Sequence, residues 1–199
     1  MQGVNLIQRL NAEGKDCQLL IIGTPEVPSV VDEISQYCDD GVIVVNNEEF
    51  TLDASELIDV ADFVIAAGRG FMETASRGKP LLTSLSDSSF PLLITEETFS
   101  QVFATNFSPR NRLKDLDEEE NYGMIARALE DEDYRVELST LASRLFKKHF
   151  DVDAVVEEYK SFFSSTYYQK RWHLVELLHG VYTTLRSFAP FWWPFRRRH

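Results

Sequence analysis

The chain has 199 residues, 44% of them apolar, and a formal net charge of −12. That composition supports one buried core with an appendage, and it excludes the fibrous and low-complexity classes. The charge argues against nucleic acid as a partner, because phosphate binding needs clustered Lys and Arg.

Residues 4–12 (VNLIQRLNA) predict a helix that ends at Gly14, and QLLIIG at 18–23 is an apolar run of strand length stopped by Gly-Thr-Pro. Ser29 with Asp32 has the spacing of a capping box at a helix start, with Val30, Ile34, Tyr37 and Cys38 on one face. GVIVV from Gly41 predicts a second buried strand. Asp53 with Glu56 predicts a capped short helix that turns Leu57, Ile58 and Ala61 inward, and FVIAA at 63–67 a third strand.

Phe71 to Arg77 reads as helix, with Gly78 as the residue just past its end and Pro80 unable to continue it; PLLTS is a fourth strand. FPLLI at 90–94 is a candidate further strand and TEETFSQVF a short helix. Strand and helix alternate, and the strands are continuous apolar runs. This pattern predicts an α/β fold with a doubly wound, mostly parallel, Rossmann-like sheet. Beyond it the periodicity is helical: Tyr122, Ile125, Ala126 and Leu129 share a face, as do Leu138, Leu141, Ala142 and Leu145, and then Val152, Val155, Val156, Tyr159, Phe162 and Phe163. These C-terminal helices are expected to pack on the sheet. The acidic run Asp115 to Glu120 lacks the glycine turn of a calcium loop and reads as a charged helix start.

The expected division is a domain over 1–166 followed by an amphipathic tail over 167–199. From Tyr167 onward, Lys170, Arg171, Arg186, Arg196, Arg197 and Arg198 face a single acid, Glu176. The chain ends in FAPFWWPFRRRH, where Trp beside Arg suits peripheral contact of residues 188–199 with a membrane. A helix docked on the domain or on a partner subunit is the alternative for this tail. Cys17 and Cys38 are isolated and there is no secretory leader, so reduced thiols in a cytoplasmic protein, peripheral to a membrane through the tail, are expected.

Ligands of open parallel sheets collect at the carboxyl ends of the strands. Of these ends, Gly68-Arg69-Gly70 pairs glycines with an immediate helix. The glycines let a ligand approach the main chain, the N–H groups of Gly70, Phe71 and Met72 with the helix dipole favour phosphate, and Arg69 adds a cation. Glu73 stands one turn on, within reach of hydroxyls. The structural alternative is a tight turn with an acid favouring a helix start.

The segment ADFVIAAGRGFMETASRGKPLL resembles the nucleotide-sugar segment of GT-B glycosyltransferases, in the C-terminal Rossmann-like domain of family 4 type enzymes, where a pattern close to AD.VI..GR..LEAMA.GKP recurs. The similarity extends over roughly residues 4–165 through the order of elements. It implies that Gly70, Phe71 and Met72 offer amides to a donor diphosphate, that Arg69 holds the GR position together with Gly68, and that Glu73 takes the ribose hydroxyls. A UDP- or GDP-sugar is the implied donor, transferred with retention and with no cofactor or obligatory metal.

Two departures accompany the resemblance. Ile65 stands where many relatives carry an earlier glutamate, and the family's opening strand, with its Arg and Lys, and its acceptor-binding domain are not represented in these residues. A GT-B site lies in a cleft between two domains, so an acceptor-domain protein or a homo-oligomer is the expected partner. The alternative is a non-catalytic interaction or membrane-recruited module of the same ancestry.

Overall fold

The computed structural model describes residues 1–25, 27–38, 41–113 and 115–165. The chain divides into two compact units, Met1–Val155 and Val156–His199. The expected tail at 167–199, with its membrane contact at 188–199, lies outside the described residues.

The first unit is an α/β arrangement. Helix α1 (Gln2–Ala12) is followed by strand β1 (Leu19–Ile22), helix α2 (Pro28–Ser35), strand β2 (Val42–Val45), a short helix α3 (Glu48–Thr51), a 3₁₀ helix (Ala54–Val60) and strand β3 (Val64–Ile65). Helix α4 (Gly68–Ser76), strands β4 (Leu81–Thr83) and β5 (Leu92–Leu93), and helices α5 (Glu96–Phe103), α6 (Glu118–Glu130), α7 (Glu132–His149) and α8 (Val152–Ser165) complete the described chain. All five strands fall within the predicted apolar runs. They form two ladders rather than the one doubly wound sheet expected: β1 and β2 pair in parallel, and β4 pairs in parallel with β3 and antiparallel with β5.

The three-stranded ladder is covered on both faces, and strand alternation distributes its side chains between them. Leu81 and Leu92 enter one core with Phe71, Phe99, Val102 and Phe107. Their neighbours Leu82 and Leu93 enter the other, with Leu6 and Leu10 of α1 and with Tyr122 and Ile125 of α6. Arg9 clamps α1 onto α6, forking Glu119 at 2.8 and 2.7 Å while its guanidinium lies 3.7 Å from the centre of the Tyr122 ring. The β1–β2 ladder is covered less completely: Val42 is buried, while Leu20 and Ile43 remain 40% and 44% exposed.

Glycines close the helices as the sequence predicts. Past α4, Gly78 (φ +64°) donates to the Ala75 carbonyl at 3.1 Å and Lys79 to the Thr74 carbonyl at 3.3 Å, which is the Schellman pattern. Gly14 (φ +84°) ends α1 in the same way. Capping at helix starts differs from expectation in two places. Helix α2 begins at Pro28, before Ser29, and has no side-chain cap; Pro at a first helical position needs no amide partner, which displaces the box. Asp53 makes no side-chain cap either, and the segment after it is a 3₁₀ helix whose Leu57, Ile58 and Ala61 are only half-buried. Asp117, by contrast, caps α6 by accepting from the Glu119 and Glu120 amides at 3.0 Å each, so the acidic run is a helix start.

In α6 the buried stripe runs through Tyr122, Ile125 and Ala128, with Ala126 and Leu129 half-buried at its margin. In the second unit, the α8 residues Val156, Tyr159, Phe162 and Phe163 are exposed. Among the described residues no helix is long and apolar enough to cross a membrane.

Candidate functional site

The last ladder bond of β3 runs from the Ala66 amide to the Leu82 carbonyl at 2.9 Å. Two residues later Gly68 turns the chain into α4 with φ +52°, a left-handed value that a side chain disfavours. The helix therefore begins at Gly68 rather than at Phe71, and this shift re-assigns the backbone groups. An α-helix leaves the amides of its cap and first three residues without an intrahelical partner. Here those residues are Ala67, Gly68, Arg69 and Gly70.

The Gly68 amide is taken by the Asn106 carbonyl at 3.3 Å. Those of Arg69 and Gly70 meet no backbone acceptor among the described residues. Met72 falls at the fifth helical position, where an amide belongs to the helix's own ladder, whereas among the described residues the Phe71 amide makes no hydrogen bond to the Ala67 carbonyl. The Phe71 side chain is fully buried, stacked on Phe107 with ring centroids 3.5 Å apart. Met72 is half-buried.

The Arg69 side chain is 89% exposed, and its Nε donates to Glu73 Oε1 at 2.7 Å across one helical turn. A surface pair of this kind contributes at most about 1 kcal/mol, so a stronger anion can displace it. Among the described residues no other acceptor meets the guanidinium, so both Nη groups are available to a phosphate. Glu73 is 31% exposed and would regain a free carboxylate if Arg69 turned to such an anion.

Gly68 and Gly70 have different reasons to be glycine. Gly68 needs the left-handed backbone. Gly70 has no positive φ, and a Cβ built on it would meet only the Ala66 Cβ, at 3.6 Å, an ordinary contact. The fold has room for a methyl group there and would gain helix propensity from it.

Asn106 was not singled out by the sequence. It and Phe107 adopt φ +54° and +55°, both left-handed, which bring the Asn106 carbonyl onto the Gly68 amide. Asn tolerates that conformation and the surrounding TNFSP is rich in turn formers, but the partner across 38 positions is a tertiary fact.

A separate cleft of about 500 Å³ opens between α5, the 111–117 segment and α6. Among the described residues Glu97, Asp115, Asp117 and Glu120 line it with Arg112, an acidic excess that is unfavourable for a diphosphate. Its buried Asn121 is already committed, accepting from the Leu93 amide at 2.9 Å and donating to the Pro91 carbonyl at 3.0 Å.

Comparison with protein-family models, with curated proteins and with solved structures finds no match to this chain.

Proposed function

We propose that the chain is the nucleotide-sugar donor-binding part of a GT-B-type glycosyltransferase, taking a UDP- or GDP-sugar at the start of α4 and relying on a second domain for the acceptor. The observation that carries this reading is Gly70: a glycine in the first turn of a helix, with space for a side chain, that the fold itself does not require. Glycine there costs helix stability, and close approach of a ligand to the main chain is a reason to keep it.

In this reading the diphosphate lies against the Arg69 and Gly70 amides at the positive end of α4, and the Arg69 fork swings from Glu73 onto the phosphates. Glu73 then accepts hydroxyls of the ribose. Neutralisation by dipole and guanidinium performs the work that a metal performs elsewhere. Sugar transfer needs the acceptor held opposite and water excluded, which two domains closing on each other provide. The expected strand order of a doubly wound sheet belongs to the same reading.

Isothermal titration of UDP and GDP into the 199-residue chain tests it. Saturable one-to-one binding of either nucleotide is expected, weakened at least tenfold by Glu73→Ala. Absence of binding by both overturns the proposal.

The Asn106 carbonyl on Gly68 and the Arg69–Glu73 pair favour a second reading, in which the turn satisfies itself and the chain serves as a non-catalytic module of glycosyltransferase ancestry. Under it neither nucleotide binds, and Arg69→Ala and Glu73→Ala change only surface electrostatics.

A further inference from the structure

Helix α8 carries its apolar residues on one narrow stripe. Val152, Val155, Val156, Tyr159, Phe162 and Phe163 follow one another by steps of three, one, three, three and one, the spacing of a helix that packs along another helix. The stripe stands in the open: Tyr159 is 58% exposed and Phe163 69%. Their rings stack with centroids 6.2 Å apart, and Phe162 meets Phe163 edge-on at 5.7 Å, so the aromatic side chains form one ridge. Beside it lies a shallow groove of about 400 Å³, lined among the described residues by Val156, Tyr159, Lys160, Phe163 and Ser164. A contiguous apolar surface of this kind marks a place of contact.

Beyond the described residues the sequence supplies a matching stripe. Leu174, Val175, Leu178, Val181, Tyr182 and Leu185 take the same steps when read backwards from Leu185. Laid antiparallel, the two stripes match along their whole length, and Val156, Tyr159, Phe162 and Phe163 face Val181, Leu178, Val175 and Leu174. This register sets residues 172–185 beside the 14 residues of α8, about 21 Å of helix, and leaves 166–171 as the connection. Connections between antiparallel helices usually take about 2–8 residues. Charge agrees with the match. Asp153, Glu157 and Glu158 outnumber Lys160 on α8, and Lys170, Arg171 and Arg186 outnumber Glu176 in the segment 167–187. From Val156 onward α8 also belongs to the compact unit that ends at His199.

We propose that the exposed stripe of α8 is the docking site of this chain's own residues 172–185, which fold back on it as an antiparallel helix. A second copy of α8 would bring Glu157 and Glu158 against their like. The chain's own tail brings opposite charge instead, and its short connection holds it at an effective concentration on the order of millimolar. The pairing covers the aromatic ridge and leaves the aromatic and basic end, 188–199, outside it. The proposal is independent of the nucleotide reading.

Cross-linking of the full chain, with Cys17→Ser and Cys38→Ser, tests the register. Tyr159→Cys with Leu178→Cys should form a disulfide within one chain under mild oxidation. It should do so at least tenfold faster than Tyr159→Cys with Leu185→Cys, which the register holds about two turns apart. Amide exchange gives a readout that needs no new cysteine. Val181→Asp should speed exchange across residues 156–163 at least tenfold, because a helix of 14 residues is marginal without a packing partner, and Val181→Ile should not. The proposal is overturned if the two cysteine pairs react alike, if the disulfide joins two chains, or if Val181→Asp leaves exchange unchanged. Protection of 156–163 that appears only at high protein concentration would give the stripe to a second copy, and protection that appears only with phosphatidylserine vesicles would give it to a membrane. Either result overturns the proposal as well.

Discussion

Phe71 and Phe107 stack face to face, with ring centroids 3.5 Å apart and planes within 4°. The contact fixes the first turn of α4 against the left-handed pair Asn106 and Phe107, and so holds the Asn106 carbonyl over the Gly68 amide. Phe71 is an anchor of the turn rather than a surface that a ligand touches. Phe107→Ala removes a fully buried ring from a cluster that includes Phe99 and Phe150, and should cost about 3–5 kcal/mol in urea unfolding. A cost below about 1 kcal/mol would show that the loop does not brace α4.

Gly70→Ala separates the demands of fold and ligand. With only the Ala66 Cβ nearby and a helical backbone, the substitution should raise stability by up to about 1 kcal/mol. If a diphosphate lies against this turn, the same variant should bind UDP or GDP more weakly than the parent. Higher stability with unchanged affinity would remove Gly70 from the site.

What the sequence discloses here is local. Apolar runs mark all five described strands, with a glycine beside those of β1, β2 and β3, and Gly78 before Lys79-Pro80 marks the end of α4, because a C-terminal cap is decided within a few residues. The start of α4 escapes such reading. Phe71 is the first bulky apolar residue after the glycines, yet the helix opens at Gly68, where a positive φ and a carbonyl from residue 106 set the boundary. Likewise β1 and β3 have the same apolar content as β4, and whether each finds a neighbour on both sides depends on tertiary placement.

Gly78→Ala should be costly for two reasons that can be told apart. The backbone at φ +64° disfavours any Cβ by about 1–2 kcal/mol. The added methyl would also stand 2.6 Å from Ser143 Oγ, pressing α4 against α7. Ser143→Ala should therefore recover the packing part of the loss and leave the backbone part. Full recovery in the double variant would mean that backbone strain contributes nothing.

His149 ends α7 with its ring 5.2 Å from that of Phe99 and 4.8 Å from that of Phe103. Burial, with Lys148 adding its charge, holds the imidazole below its ordinary pKa near 6.5. The folded chain therefore favours the neutral ring, and the unfolded chain takes up the proton first as pH falls. Stability contributed by this site is complete above the unfolded pKa. It declines as pH drops through about 6.5 and levels off once the folded ring is itself protonated. His149→Phe keeps an aromatic ring against Phe99 and Phe103 and removes the titration. Urea midpoints at pH 7.5 and 5.5 should differ less for this variant than for the parent. The other three histidines, His173, His179 and His199, are common to both proteins, so the difference between the two slopes isolates His149. Equal slopes would mean that the ring is as hydrated in the folded chain as in the unfolded one.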